Sequence, residues 1–361
     1  MSRGPKRSGS RGGVSPLRRL AIGVMSGASA LVLLAVVALI GVVIVYQGPG
    51  PKATSGEATT VELRHGASLP EIASSLKRAG VIRSGSVFMA AAQVTGAARR
   101  LKAGEYEFAS GESIARILAD IRDGKIVKHQ VTIPEGLTSE AVVEILAKEP
   151  LLTGVAPTPE EGSILPETYQ FERGEDRAKV LRRMMEAQDK LLALLWEHRQ
   201  PGLPYLTPTE AVTLASVVEK ETGVASERPR VAAVFINRLR AGMRLQSDPT
   251  VIYGVSQGRP LGRGLTASEL ATETPYNTYL IDGLPPTPIA NPGRAALAAV
   301  LDPPKTSELY FVADGSGGHA FSSTLEEHAK NVARWRQVEK QGPTAKVAVA
   351  PAKGSPAKGK K

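Results

Sequence analysis

The most continuous hydrophobic pattern lies near the N-terminus, where residues 20–46 contain no charged residue and are rich in Ala, Val, Leu and Ile. As a helix this run is about 40 Å long at about 1.5 Å per residue, which exceeds the roughly 30 Å hydrocarbon core of a bilayer. It is also longer than the apolar region of a signal peptide, which has about 7 to 15 residues. The pattern therefore predicts one transmembrane helix, with a cleaved signal peptide as the alternative.

Short strand and helix patterns follow a segment rich in Gly, Pro, Ser and Thr at residues 47–60, whose composition predicts a flexible linker. Residues 61–63 alternate apolar and polar side chains as a strand does, and residues 72–79 carry apolar side chains at helical spacing. A second helix is predicted at residues 114–121. These patterns predict a small α+β domain over residues 61–128.

A larger set of elements begins at residue 129. The pattern predicts a strand at residues 130–134, a helix at 139–147, a long amphipathic helix near 176–199 and a further helix from Thr207. The fold class predicted for the whole chain is α+β. Its predicted segments are a basic tail (1–19), the transmembrane helix (20–46), the linker (47–60), the small domain (61–128), a mixed α+β catalytic domain (129–338) and a disordered Lys/Ala/Pro tail (339–361).

The helix predicted from Thr207 has an unusually complete N-terminal signal. Thr207 can act as the N-cap, Pro208 suits the first helical position, and Glu210 stands three residues after the cap. The apolar face of this helix contains Leu214 and Val217. The helix is predicted to end at residue 222, before Gly223.

Two acidic residues lie near the end of this helix, and the helical wheel separates them. Glu221 follows Val217 by four residues and so falls on the apolar face, whereas Glu219 falls on a flank and Lys220 on the opposite side. Burial and the negative end of the helix dipole should both raise the pKa of Glu221. A carboxyl group that stays protonated near neutral pH is what general-acid catalysis requires. The alternative is that Glu-Lys-Glu is simply a solvated helix end.

Composition and charge exclude several other classes of function. The net charge of +10 comes from the ends of the chain, because residues 1–19 hold six basic residues and residues 341–361 hold five, and neither stretch contains an acid. The region between is close to neutral and aromatic residues are 4% of the chain, which disfavours nucleic-acid binding. The chain has no cysteine, and its five histidines have no metal-ligand spacing. We therefore predict no cofactor and no metal.

Two polar segments could recognise a sugar or a peptide, although loops of this composition are common. They are QSDPT at residues 246–250 and TPYNTY at residues 274–279. The residues predicted to bind substrate or to stabilise its charge are Gln246, Ser247, Asp248, Thr250, Tyr276 and Asn277.

Residues 215–254, ASVVEKETGVASERPRVAAVFINRLRAGMRLQSDPTVIYG, closely resemble the signature of the MltG (YceG-like) family of endolytic murein transglycosylases. Five further segments resemble other motifs of that family and follow the expected order. They are VTIPEGLT (131–138), EGSILPETYQF (161–171), ETPYNTY (273–279), GLPPTPIANPG (283–293) and YFVADGSGGHAFSSTLEEH (310–328). Residues 61–125, with LKAGEYEF at 101–108, are similar to the LysM-like domain of the family. The resemblance covers residues from about 20 to 335. Glu167 departs from it, because the family often has Asp there.

The resemblance implies a membrane-anchored lyase that cleaves the MurNAc-β-1,4-GlcNAc bond inside peptidoglycan strands and leaves 1,6-anhydroMurNAc ends, in cell-wall assembly and strand-length control. The catalytic glutamate of the family is the second Glu of its E-K-E-T motif, which is Glu221 here. Peptidoglycan strands are the implied substrate, and membrane peptidoglycan synthases are candidate partners. The alternatives are a catalytically inactive, anchored peptidoglycan-binding or scaffold protein, and a membrane-tethered hydrolase of another exported polymer.

The basic residues before the apolar run predict the orientation of the chain. By the positive-inside rule, residues 1–19 face the cytoplasm, and everything after residue 46 lies on the periplasmic or extracytoplasmic side of the cell (inner) membrane as the exported part of a single-pass protein.

Overall fold

The computed structural model describes residues 16–340, and side chains from Ser29 onward. Residues 1–15 of the predicted basic tail and residues 341–361 of the predicted C-terminal tail lie outside the described residues. Contacts between Cα atoms divide the chain after Lys128 into two compact units. The mixture of helices and antiparallel strands in both units confirms the predicted α+β class.

Helix α1, Pro16–Gln47, contains the predicted apolar run. Its stretch Ser29–Gln47 is long and apolar enough to cross a membrane. Among the described residues, no other helix meets both conditions. The large apolar side chains from Leu31 to Val45 are exposed, as in a membrane span or a signal sequence. At its end, Tyr46 packs against the core of the small domain.

The small domain consists of a two-stranded sheet and three helices. Its elements are β1 Ala58–Leu63, α2 Leu69–Arg78, α3 Gly85–Val94, β2 Gly104–Ala109 and α4 Ile114–Asp123, with a short 3-10 turn at Ala97–Arg99. Strands β1 and β2 are antiparallel, and Ala58 pairs with Ala109. Buried apolar side chains from all of these elements form one core, including Leu76, Phe88 and Tyr106. Ser68 forms a capping box before α2 and Ser113 caps α4, in the two regions where the sequence predicts helices, whereas α3 was not predicted.

Part of the segment that we predicted as a flexible linker is bound to the small domain. The N–H of Gly50 donates to the carbonyl of Gly111 at 3.0 Å, and the N–H of Gly111 donates to the carbonyl of Pro51 at 2.9 Å. Residues 58–60 belong to β1. This segment therefore has backbone hydrogen bonds along part of its length, which its Gly/Pro-rich composition did not indicate.

The second unit contains four strands and eight helices within the described residues. They are β3 His129–Thr132, α5 Ser139–Lys148, β4 Thr168–Phe171, α6 Arg177–Glu197, α7 Pro208–Glu221, α8 Arg228–Arg240, α9 Asp248–Ser256, α10 Ala267–Leu270, α11 Arg294–Leu301, β5 Tyr310–Ala313, β6 His319–Ser322 and α12 Leu325–Lys340. Two antiparallel pairs form, β3 with β4 and β5 with β6. The Gly-rich run at residues 315–318 is the turn of the second hairpin, and a run of this composition is typical of turns.

Helix α7 lies at the centre of this unit. Residues 211–219 are all buried, and α7 packs against α6, α8, α9 and α11. The predicted start is confirmed in detail, because Thr207 is the N-cap and forms a capping box with Glu210. The helix ends at Glu221, one residue earlier than predicted, because Thr222 has an extended backbone with φ −137° and ψ 128°. The buried centre of the unit thus leads directly to the acidic end of α7.

Candidate active site

Glu219 is a buried structural residue rather than a residue on an open flank. Its side chain is 4% exposed, and its Oε1 accepts a hydrogen bond from Nη2 of Arg228 at 3.0 Å. Its Oε2 accepts from the N–H of Gly293 at 2.9 Å. Burial raises the pKa of Glu219, and these two hydrogen bonds oppose that effect. The expectation that only Glu221 points to the buried side is therefore wrong, because the wheel describes α7 alone and not the elements that cover its flank.

Glu221 is half-buried at the last position of α7, and it has a different environment. Its Oε1 accepts a hydrogen bond from Oγ of Ser247 at 2.5 Å. Burial raises the pKa of Glu221 to about 7, and the charge of Asp248 acts in the same direction. The hydrogen bond from Ser247 and the positive charges of His319 and Arg238 lower it in part. Glu221 can therefore carry a proton near neutral pH and release it in the same range.

Ser247 is held in place by a hydrogen-bonded loop. It is fully buried, and its N–H donates to Oγ1 of Thr278 at 2.9 Å. Thr250 donates from Oγ1 to the carbonyl of Ser247 at 2.6 Å, and the same oxygen lies 2.8 Å from Oγ1 of Thr278. Ser247 is also the N-cap residue of α9. The first turn of a helix, not a loop as predicted, therefore contains Asp248 and Thr250.

The neighbouring segment at residues 274–279 is organised by Asn277. Its buried Nδ2 donates to the carbonyls of Leu270 and Thr272, at 2.9 and 2.8 Å. Its Oδ1 accepts from the N–H of Tyr279 at 3.0 Å. The hydroxyl of Tyr279 then donates to Oδ1 of Asp248 at 2.7 Å. This segment therefore fixes both the loop that carries Ser247 and the acid beside Glu221.

The structure divides the six residues predicted to contact substrate into two groups. Ser247, Thr250 and Asn277 are fully buried, and their hydrogen bonds are to other groups of the protein. These hydrogen bonds hold Glu221 and the loops around it. Gln246 and Asp248 are exposed, and Tyr276 is half-buried.

Gln246 has a backbone conformation that is unusual for its residue type. Its φ is 51°, in the left-handed region, where a residue with a Cβ costs about 1 to 2 kcal/mol. Its N–H donates to the carbonyl of Thr278 at 3.0 Å. Such strain is typical of functional sites, and it places an exposed amide side chain directly before Ser247.

Sequence reasoning missed two groups close to Glu221. Arg238 is buried on α8, where it continues the apolar spacing of Val231 and Phe235, so a charged residue at an interior helix position was the available signal. His319 lies on β6, and its Nδ1 is 2.7 Å from Oε2 of Glu227. The approach of β6 to the start of α8 has no signal in the local sequence.

The described residues contain no group of three or more His, Asp or Glu side chains arranged to hold a metal ion. The arrangement around Glu221 is instead one carboxyl group of raised pKa, one fixed hydroxyl donor and nearby cationic side chains. Chemically, it can donate a proton to a leaving oxygen and take a proton back, which are the two halves of general acid–base catalysis.

An α+β unit that presents such a carboxyl at the end of a buried helix is suited to general acid–base chemistry. Comparison of the amino-acid sequence with known proteins identifies the family of the chain. The chain belongs to the YceG-like family, whose profile matches residues 61–334.

Two relatives and one solved structure are similar over most of the chain. An endolytic murein transglycosylase of Streptococcus pneumoniae strain R6 is 30% identical in an alignment 330 residues long, which covers 78% of this chain and 59% of that protein. An endolytic murein transglycosylase of Bacillus subtilis strain 168 is 30% identical in an alignment 308 residues long, which covers 76% of this chain and 84% of that protein. The crystal structure of a yceG-like protein from Listeria monocytogenes shares 30% sequence identity, with a TM-score of 0.48 over 76% of this chain and 99% of that one. The chain spans 59% of the length of the pneumococcal relatives.

Proposed function

We propose that this protein is a lytic transglycosylase that cleaves the β-1,4 bond between MurNAc and GlcNAc inside peptidoglycan strands and leaves 1,6-anhydroMurNAc ends. The observation that carries the proposal is the state of Glu221, a half-buried carboxyl with a pKa of about 7 beside a fixed serine hydroxyl. Membership of the family and the names of the two characterised relatives support this choice of substrate.

In the first step, protonated Glu221 donates its proton to the glycosidic oxygen, which leaves as the 4-hydroxyl of GlcNAc while the bond to C1 of MurNAc breaks. In the second step, the 6-hydroxyl of the same MurNAc attacks C1, and the Glu221 carboxylate takes the proton of that hydroxyl. The reaction consumes no water and returns Glu221 to its starting state. Because the nucleophile belongs to the substrate, its attack is intramolecular.

One free carboxyl is sufficient for this reaction. Hydrolytic glycosidases use a second carboxylate, about 5 Å away as a nucleophile or about 6.5 to 9.5 Å away as a base. The other carboxylate at the end of α7, Glu219, is bound by Arg228 and by the N–H of Gly293 and so is not available as a base. Glu219 therefore does not supply the second carboxylate of a hydrolase.

For substrate contact we propose the three candidates that remain accessible, Gln246, Asp248 and Tyr276. Gln246 and Asp248 flank the buried Ser247 in sequence, so their exposed side chains lie next to the residue that binds Glu221. Tyr276 packs its ring against Tyr253 at 4.9 Å between ring centroids, which makes an aromatic surface of the kind that sugar rings contact.

We also propose that α1 is an uncleaved membrane anchor, with residues 1–19 in the cytoplasm and the rest of the chain outside the cytoplasmic membrane. The exposed apolar side chains of α1 and the basic residues before it support this orientation. The small domain would act as a LysM-like unit that binds or positions the cell wall, close to membrane peptidoglycan synthases. A reporter fused after Lys340 that is active only in the cytoplasm would contradict this topology.

The test is product analysis. Residues 47–361 are incubated with purified sacculi and with uncrosslinked glycan strands, and the products are analysed by mass spectrometry. Internal cleavage to products that end in 1,6-anhydroMurNAc supports the proposal, whereas reducing ends, which contain one more water, indicate a hydrolase. Binding to sacculi without any product, by a folded protein, would indicate the inactive scaffold instead.

A further inference from the structure

Arg238 is a buried cation that forms no ion pair with a carboxylate in the part of the chain that the structure describes. It is 7% exposed. Its Nε donates to the carbonyl of Leu309 at 2.7 Å, and its Nη1 donates to the carbonyl of Leu245 at 2.5 Å. Carbonyl oxygens satisfy hydrogen bonds but do not neutralise a charge, so a buried guanidinium of this kind is costly unless a negative group is nearby.

The two carbonyl partners join segments that build the site. Leu309 immediately precedes β5, and Leu245 lies two residues before Ser247, the donor to Glu221. Arg238 therefore connects the β5–β6 hairpin to the loop that carries Ser247, and it does so from the rigid helix α8.

We propose that Arg238 is a positioning residue for Glu221, which fixes the loop of Ser247 and balances the negative charge of Glu221 between the two steps of the reaction. The inference rests on the proposed function, in which Glu221 is ionised after it has protonated the leaving group. Arg238 is suited to this role because a guanidinium keeps its charge throughout the pH range of activity.

The other charged groups around Glu221 do not provide a permanent positive charge. Asp248 on α9 is negative, and its carboxylate accepts a hydrogen bond from Tyr279. His319 on β6 is charged only when protonated, and its Nδ1 already faces Glu227. The positive charge of Arg238 lowers the pKa of Glu221, against the stronger effect of burial.

The groups around Arg238 are consistent with this assignment. Its guanidinium carbon lies 5.6 Å from the ring centre of Tyr310. Burial lowers the pKa of Arg238, and the electrostatic influences of Tyr310, Glu221 and Tyr279 oppose that effect. On α12, burial and the charge of Arg238 lower the pKa of His328, so this histidine does not add a compensating charge. Glu221 is thus the acid in this set that can become its partner.

The experiment compares two substitutions. Arg238→Gln removes the positive charge, whereas Arg238→Lys keeps the charge and loses the guanidinium group that donates to two carbonyls. Arg240→Gln is the matched control, because Arg240 is exposed two residues later on α8 and donates to the carbonyl of Gly202. For each protein, the rate of anhydro-product release is measured as a function of pH, together with a thermal melt.

We expect Arg238→Gln to lower kcat by about tenfold to 100-fold. It should also move the basic limb of the pH profile upward by about 0.5 to 1 pH unit, because Glu221 holds its proton more tightly without the nearby cation. Arg238→Lys should lower kcat but keep the basic limb in place, and Arg240→Gln should change neither.

A basic limb that does not move in folded Arg238→Gln would show a merely structural role and overturn the proposal. If Arg238→Gln does not fold, Arg238→Lys decides the question. A folded Arg238→Lys protein with wild-type kcat would overturn the proposal. A lowered kcat, with the basic limb of the pH profile at its wild-type position, would support the proposal.

A second measurement does not depend on activity. A double-mutant cycle between Glu221→Gln and Arg238→Gln on the free energy of unfolding should show favourable coupling at about pH 9, where Glu221 is ionised, and little at about pH 5. Equal coupling at both pH values would contradict the charge pairing. If the wild-type protein releases no product but the coupling depends on pH as expected, the proposed function fails while the relation between Arg238 and Glu221 stands.

Discussion

Ser247 donates a hydrogen bond of 2.5 Å to Glu221, across 26 positions of sequence. The donor is fully buried and is itself fixed through its backbone by Thr278. Burial raises the pKa of the acceptor to about 7. A carboxyl group with one fixed donor has one preferred orientation, which is a requirement for directed proton transfer.

Glu221→Gln should abolish the release of anhydro products while the fold persists. Glutamine keeps the size and a hydrogen-bonding oxygen but cannot protonate the glycosidic bond. General acid–base groups contribute about 10²-fold to 10⁴-fold to the rate, and a residue that serves as both acid and base should reach the upper part of that range. The measurement is mass spectrometry of murein digests beside a thermal melt. The control is Glu144→Gln, at an exposed position on α5, which should behave as wild type. A folded Glu221→Gln protein with near-normal release would show that another group is the acid.

Glu219→Gln should act mainly on stability. It removes the partner of Arg228, which is 8% exposed and would keep only a 3.4 Å contact with Glu135. Breaking a buried ion pair by removing one member costs about 3 to 5 kcal/mol, and retained hydrogen bonding by the amide should bring the loss toward the low end. Denaturant unfolding measures this loss. Product release per folded molecule should remain within about tenfold of wild type. Unchanged stability, or complete loss of release by fully folded protein, would contradict this assignment.

The free energy of unfolding should fall as pH rises from about 4.5 to about 7 because of Glu221. Its pKa is raised from the ordinary value of 4.5 to about 7 in the folded state, so the folded protein binds this proton more tightly than the unfolded chain does. The loss should be about 3 kcal/mol, because the two pKa values differ by about 2.5 and each pH unit corresponds to about 1.4 kcal/mol, and it should level off above pH 7. Denaturant unfolding of the wild type and of Glu221→Gln is measured at several pH values. The difference between the two curves gives the contribution of Glu221 to the free energy of unfolding. Parallel curves for the two proteins would rule out the raised pKa.

Ser247→Ala should raise the pKa of Glu221, because the hydroxyl stabilises the carboxylate and its loss leaves burial less opposed. The basic limb of the activity profile, at about pH 7 in wild type, should therefore move to higher pH. The rate at the optimum should fall by about tenfold or more, because Glu221 loses its fixed orientation. A profile that moves to lower pH, or a rate that does not change, would contradict this role for Ser247.

A fragment of residues 129–340 should fold alone and cleave isolated glycan strands. Its core residues form clusters separate from the core of the small domain. On intact sacculi it should be less active than residues 47–361, because it lacks the small domain that we propose to bind the wall and so loses the local concentration of substrate. Circular dichroism and product release on both substrates test this. Equal activity on sacculi would remove the proposed role of the small domain.

The local pattern of the sequence predicted α1, β1, α2, α4, β3, α5, α6 and α7, but not α3, β2, β4 or the elements after α7. The N-terminal ends of α2, α4 and α7 depend on their N-cap residues, Ser68, Ser113 and Thr207. Each of these residues acts on the first turn of the helix that follows it. The turn at residues 315–318 and the long helix α6 likewise follow from residues close in sequence. Such features need no knowledge of distant contacts, so composition and spacing predicted them.

What the sequence determined about the candidate site is the residue type and the position of Glu221 at the end of an amphipathic helix. The tertiary structure decided the rest. The burial of Glu219 requires Arg228 and Gly293, the orientation of Glu221 requires Ser247, and Arg238 acquires its role only because Leu245 and Leu309 meet beside it. A helical wheel assigns directions around one axis, whereas desolvation and charge pairing depend on which distant segments cover each direction, and only the packed fold fixes that.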